Sequence, residues 1–430
     1  MLRYFYNSNY PVFSISALAV SVFVTASTVN AGHLNNVEQW EEYATINLGM
    51  YPQYEFQYST DMNNRHVVVG MNSDYYKYSY NHAKTFQVYN GSSASDKYVA
   101  ASYKDVAIDT NTNRVVIGGV SNEDYGYKQA KIFHTSGYNP KMDLTPQPTT
   151  GKYFGYGIAV DGEHVVVGSA QHDDSIGKLF VYNVNSDDVI LELKKDNFIP
   201  KDGFGLDVAL SGNIAMARGK YLTGDGSVSN NYKYYFFDVT TGEQITTFVP
   251  EDKPEGDWYD STFAISGNVA IIGDANVNSN GTISGAAYLY DIANDSLITK
   301  LTPDDLQAED QFGISVDIHG RYAIVGSRGS DIDGVENAGA AYVFDTSSGE
   351  QLAKLTMSEP EEYANFGTEV SVSGLAAFAI APGAKVSDSQ GSSDYRYGQG
   401  YLFSAVPEAS TLTLCVLGLV PLISRNRKKQ

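Results

Sequence analysis

The chain has 430 residues, 43% of them hydrophobic and 18% charged, which excludes a disordered polyelectrolyte and implies a sizeable buried core. A formal charge of −21 repels phosphate backbones and excludes nucleic acid as a partner class. The 40 glycines and 33 tyrosines, with abundant Val, Ile and Thr, point to many short strands joined by tight turns.

Segment 1–31 reads as a signal peptide. Arg3 precedes an apolar run from Val12 to Val24, and Val29-x-Ala31 supplies small residues for cleavage after Ala31. The body, 32–405, is then exported. The single cysteine is Cys415, near the other terminus, so this body has no disulfide, no thiolate metal site and no Cys nucleophile. Next comes an isolated strand-like run, EYATINL, at 42–48.

A repeat follows. FGYGIAVDGEHVVVGS, from Phe154, has the same frame as FGISVDIHGRYAIVGS, from Phe312: Phe-Gly, an alternating run, a turn at Gly, then apolar β-formers ending in Gly-Ser. Copies begin near 54, 102, 154, 204, 259, 312 and 366, a spacing of about 50 residues that marks a β-propeller rather than a helical solenoid. Each copy continues through a variable loop into a third strand, such as GAAYVFD from Gly339, and then a fourth, such as LAKLT from Leu352. The third strands are apolar on both faces, as a strand sandwiched between two layers requires. The last copy stops at Ala405 without a fourth strand. Run 42–48 is the natural candidate to complete it and close a seven-bladed, all-β propeller of four-stranded blades.

The Phe-Gly openings, with Val-Gly-Ser or Ala381-Pro382-Gly383 after the second strand, resemble FG-GAP repeats of the integrin α-chain type. The resemblance implies a seven-bladed propeller whose strands run from the centre outward. It also implies a ligand face formed by the loops joining strands 2–3 and 4–1. Many such repeats carry a calcium loop between strands 1 and 2. Here that connection is a short turn in copies three to seven, with no room for the oxygen ligands calcium needs. Copies one and two offer Asp61-x-Asn63 and Asp109-x-Asn111-x-Asn113, which lack a second acid and read equally as Asx-stabilised turns. Asp331-x-Asp333-Gly334-x-Glu336 is a further weak cation candidate and, more simply, a solvated turn. No metal or cofactor is therefore assigned, calcium remaining the one to test.

The 2–3 loops concentrate tyrosines beside acids: Asp74 with Tyr75, Tyr76 and Tyr78; Asp124 with Tyr125 and Tyr127; Asp394 with Tyr395. Aromatic faces next to polar groups suit carbohydrate or protein recognition, although they also suit covering of the blade tops. No histidine recurs in register, and no motif sets a nucleophile beside a base. The reading is a non-catalytic binder of matrix polysaccharide or of a surface protein. The alternatives are a glycan-active propeller enzyme, lyase or hydrolase, and a structural matrix component.

The end of the chain, 406–430, has three parts: Val406-Pro407-Glu408, an apolar run from Leu412 to Ile423, and a basic cluster, Arg425, Arg427, Lys428 and Lys429. The run is short for a permanent span, and the basic end would stay cytoplasmic. In order and composition this resembles the PEP-CTERM sorting tail of Gram-negative bacteria, with Ala409 where the family motif has a second proline. That resemblance implies processing by an exosortase-type enzyme, transient membrane contact, and delivery to the periplasm, outer surface or exopolysaccharide matrix.

Overall fold

The computed structural model describes residues 39–48, 57–72, 82–87, 93–98, 105–109, 114–121, 128–134, 141–145, 152–172, 176–186, 188–195, 199, 202–250, 261–279, 282–385 and 398–406. Every regular element among them is a β-strand, and no helix there is long and apolar enough to cross a membrane. Six antiparallel sheets each use four segments in chain order, and these are blades 1 to 6. Their innermost strands are Gln57–Met62, Asp105–Ile108, Lys152–Asp161, Val208–Ser211, Ser261–Ser266 and Phe312–His319. The remaining four-stranded sheet, blade 7, is composite. Glu369–Ser373, Ala376–Ala381 and Gln399–Val406 supply three strands, and Gln39–Asn47 pairs antiparallel with the last of them. The closing strand thus starts three residues earlier than the sequence pattern indicates. Its partner runs through Val406, so the first residue of the expected tail is a sheet residue. Ala31, Pro407 and Glu408 lie outside the described residues.

The seven innermost strands touch one another in cyclic order, with Glu369–Ser373 meeting Gln57–Met62, so the blades surround one axis. Blade 6 shows why the sequence builds this. Its second and third strands, Tyr322–Ser327 and Ala340–Asp345, are buried throughout because a neighbouring sheet covers each face. Its fourth, Gln351–Leu355, is mostly half-buried and carries polar residues on the rim.

The core therefore lies between blades. One cluster joins Ile271, Ala287 and Leu289 of blade 5 to Phe312, Val325 and Tyr342 of blade 6. The Phe of each clear Phe-Gly copy is its keystone: Phe154, Phe204, Phe312 and Phe366 are fully buried. Each meets third-strand rings edge-on, as Phe366 does with Tyr401 and Phe403 at 5.5 and 5.9 Å. The Gly that follows is equally constrained. A Cβ on Gly168 or Gly326 of the preceding blade would stand 2.0 Å from the carbonyl oxygen of Gly205 or Gly367. Glycine is required there because the next blade's backbone occupies the side-chain space.

Candidate functional site

All seven innermost strands contribute to one cavity of ≈ 460 Å³ on the ring axis. Strand alternation decides what faces it. At one level, the lining residues are those paired with the same position of the second strand, Asp61, Ala107, Ala159, Ala209, Ala264 and Asp317, while Ser371 at that position of blade 7 is buried against Thr60 instead. Four alanines make room and two aspartates enter it. Two residues earlier in the strands, Ser59, Asp105, Asp207, Thr262 and Glu369 form a second level.

Most of these acids are committed to the fold. An innermost strand has one unpaired edge, and its N–H groups need acceptors. The Asp61 carboxylate accepts from the amide of Ile108 in blade 2, at 2.8 Å. Asp105 accepts from Ile158 of blade 3, at 3.1 Å, and from the Ser59 hydroxyl, at 2.6 Å. Asp317 accepts from Val372 of blade 7, at 2.7 Å. Asp161 does the same lower down, accepting from Gly212 of blade 4 at 2.7 Å. These side chains tie neighbouring blades together around the axis.

The cavity holds acids close together in a partly dried space, and their protonation shifts accordingly. Burial pushes Asp105 and Asp317 up to about 7, against the hydrogen bonds that favour their charged forms. Asp61 is pushed well above the usual carboxylate range, by burial first and by Asp317 second. Glu369 rises to about 8 through burial, with repulsion from Asp105 adding to it and Arg328 opposing it. Glu369 has no hydrogen-bond partner among the described residues, which sets it apart from the other acids.

Arg218 is the arginine in the cavity wall. It is 5% exposed, its Nε and Nη2 donate to Asp207 Oδ2 at 2.9 and 2.7 Å, and its guanidinium lies 4.8 Å from the Tyr232 ring centre. It stands where blades 2, 3, 5 and 6 carry Gly118, Gly168, Gly273 and Gly326, the glycines that meet the following Phe-Gly backbone. The copy after Arg218 is the degraded one, with Tyr259-Asp260 in place of Phe-Gly. Sequence reasoning passed over Arg218, yet a signal was present: an Arg at a position that is Gly in blades 2, 3, 5 and 6, followed by a copy without Phe-Gly.

The expected ligand-binding residues Asp74, Tyr75, Tyr76, Tyr78, Asp124, Tyr125, Tyr127, Asp394 and Tyr395 lie outside the described residues, as does Asn111. Of the cation candidates, Asp109 is fully buried and its carbonyl accepts from Asn63 Nδ2 at 3.0 Å. Asn63 Oδ1 in turn accepts the amides of Arg65 and His66, the Asx turn that the sequence offered as the simpler reading. Asp331 Oδ1 accepts the Asn337 amide at 2.9 Å, and Asp333 and Asn337 have left-handed φ of 53° and 48°. Among the described residues no group of three His, Cys, Asp or Glu side chains has an arrangement suited to a metal ion.

The FG-GAP repeat family model matches residues 243–290 and 296–344. These FG-GAP repeats span the outer strand of blade 4, blade 5 and most of blade 6, so the best-formed Phe-Gly junction on their path is the one at Phe312. No curated protein matches the chain. Among solved structures, a chain of Kuenenia stuttgartiensis hydrazine synthase is similar with a TM-score of 0.50 and 11% identity, covering 76% of this chain and 92% of that one. A chain in a crystal structure of the mitotic checkpoint complex gives a TM-score of 0.47 and 12% identity, covering 90% and 100%. The hydrazine synthase likeness agrees with the propeller fold and says nothing of activity.

Proposed function

We propose that this chain is an exported seven-bladed propeller that binds a matrix polysaccharide or a surface protein, with the axial cavity serving as a sugar subsite beneath the loop face. One observation carries this: the cavity presents hydroxyls, carboxyls and one oriented guanidinium on a rigid wall, the groups that hydrogen-bond a hydroxylated ligand. The tyrosines at 75, 76, 78, 125, 127 and 395 are residue types that offer stacking faces to the same class of ligand. Segment 1–31 directs export. The tail 406–430 is processed by an exosortase-type enzyme after transient membrane contact, which places the body at the outer surface or in the matrix of a Gram-negative bacterium.

The test is binding of the purified protein to a glycan array, alongside Arg218→Gly and Glu369→Gln. Saturable binding lost in either variant supports an axial subsite. Undiminished binding in both moves the ligand to the loops, and no binding to any glycan leaves the protein-partner reading. A second reading, glycan cleavage, is favoured by Glu369 alone, since a carboxyl held protonated near neutral pH is suited to general acid catalysis. New chain ends released from a bound glycan, and lost in Glu369→Gln, would establish it.

A further inference from the structure

At the junction of blades 3 and 4, Lys195 and Asp202 meet in the interior. Their side chains are 2% and 0% exposed, with Nζ 2.5 Å from Oδ2. The pair follows the blade 3 outer strand Val189–Leu193 and precedes the keystone Phe204. The repeat itself provides controls. Two residues past the outer strand, the buried position of Lys195 is Pro250 after blade 4, Pro303 after blade 5 and Met357 after blade 6. Two residues before the keystone, Asp202 corresponds to Asp310 ahead of Phe312 and to Ala364 ahead of Phe366. Asp310 caps its own loop, accepting the Gln307 amide at 2.8 Å. The fold is thus content with Met and Ala at these two places, and burying a Lys–Asp pair there costs desolvation that the apolar residues avoid.

Asp202 divides its two oxygens: Oδ1 accepts the Phe204 amide at 2.9 Å, and Oδ2 faces the amine. Asp202 Oδ2 is buried with no donor in hydrogen-bonding alignment, although the amine touches it. Lys195 Nζ spends a hydrogen on the Lys220 carbonyl, 2.5 Å away, and lies 5.6 Å from the Tyr235 ring centre. Burial in this setting lowers the affinity of the amine for its third proton.

We propose that Lys195 and Asp202 join in an intramolecular isopeptide bond. In the dry pocket the reaction begins as one ammonium proton passes to the Asp202 oxygen that will leave, which frees the nitrogen lone pair. The nitrogen lone pair forms a C–N bond at Asp202 Cγ. The C–OH bond breaks, and the departing hydroxyl takes one hydrogen from the nitrogen and leaves as water. One N–H remains, already directed at the Lys220 carbonyl. No oxidant or external reactant is needed, and the two groups are held at contact distance without the freedom to separate. The product closes the connection between blades 3 and 4 into a covalent ring, in a body without cysteine.

Tryptic mapping of the full chain, denatured before digestion, tests this. The expected result is a peptide pair joined through Lys195 and Asp202, lighter than the sum of its parts by one water, with no cleavage after Lys195. A double variant, Lys195→Met with Asp202→Ala, copies the Met357 and Ala364 junction and so retains the fold; it gives unlinked peptides of full mass. Wild-type protein that is cut after Lys195 and yields the free 202-containing peptide overturns the proposal.

Discussion

Two junctions of the same ring solve one packing problem differently. Between blades 6 and 7, Phe366 fills the interface, Gly326 admits the Gly367 carbonyl, and Met357 and Ala364 complete an apolar wall. Around blade 4, Phe204 and Gly168 play the same parts on one side, but Lys195 and Asp202 replace the apolar pair, and Arg218 replaces the glycine on the other side. Since the apolar version suffices between blades 6 and 7, Lys195 and Arg218 are the charges near blade 4 that the fold does not explain, whereas Asp202 also accepts the Phe204 amide at 2.9 Å. The comparison separates residues that build the ring from residues added to it.

Removing the shared element should have the largest effect. Phe366→Ala and Phe204→Ala each delete a fully buried ring and should cost about 3–5 kcal/mol in denaturant unfolding, with similar losses at both junctions. A loss confined to one would mean that the junctions do not share a keystone. Smaller is the glycine effect. Gly326→Ala sets a Cβ 2.0 Å from a backbone oxygen and should cost about 1–3 kcal/mol. The reverse change, Arg218→Gly, should cost about 1 kcal/mol, because Asp207 is 49% exposed and can be solvated by the cavity. Equal penalties for the two would remove the distinction between building and added residues.

The smallest expected effect is on pH dependence. Asp105 and Asp317 at about 7 and Glu369 at about 8 stand above their unfolded values, so the folded ring holds protons that the unfolded chain releases. Their contribution is full below the unfolded values, near pH 4, and is lost as pH rises through 7 to 8. The protein should therefore melt higher at mildly acidic than at mildly alkaline pH. Glu369→Gln should flatten that slope and add about 1 kcal/mol on the alkaline side, a figure reduced for solvent access to the cavity. An unchanged slope would mean that Glu369 is charged throughout and that solvent screens it.

Legibility followed the range of the interactions. The Phe-Gly frame, the turn glycines and the alternating runs are local, and they gave the strands, the repeat and the pairing of an N-terminal strand with the last blade. The boundary at Val406 was missed because sheet pairing with Gln39 extends the strand into a stretch whose sequence looks like the start of a tail. The axial acids were missed for a different reason. Asp61, Asp105, Asp317 and Glu369 are ordinary acids in an acidic chain until seven distant strands face them toward one space. Calcium was judged on spacing, and the backbone amides that Asn63 and Asp331 accept show what those side chains do.

By itself, then, the sequence determined the repeat, the blade plan and the keystone Phe, because each depends on neighbours in the chain and on burial common to every copy. Only the tertiary structure decided that carboxylates bridge blades around an axial cavity, that Arg218 occupies a space glycine elsewhere leaves to backbone, and that Lys195 meets Asp202. Those contacts depend on how distant strands and the segments between them are brought together, and the upward shifts of the axial carboxyls come first from the desolvation that closing the ring imposes.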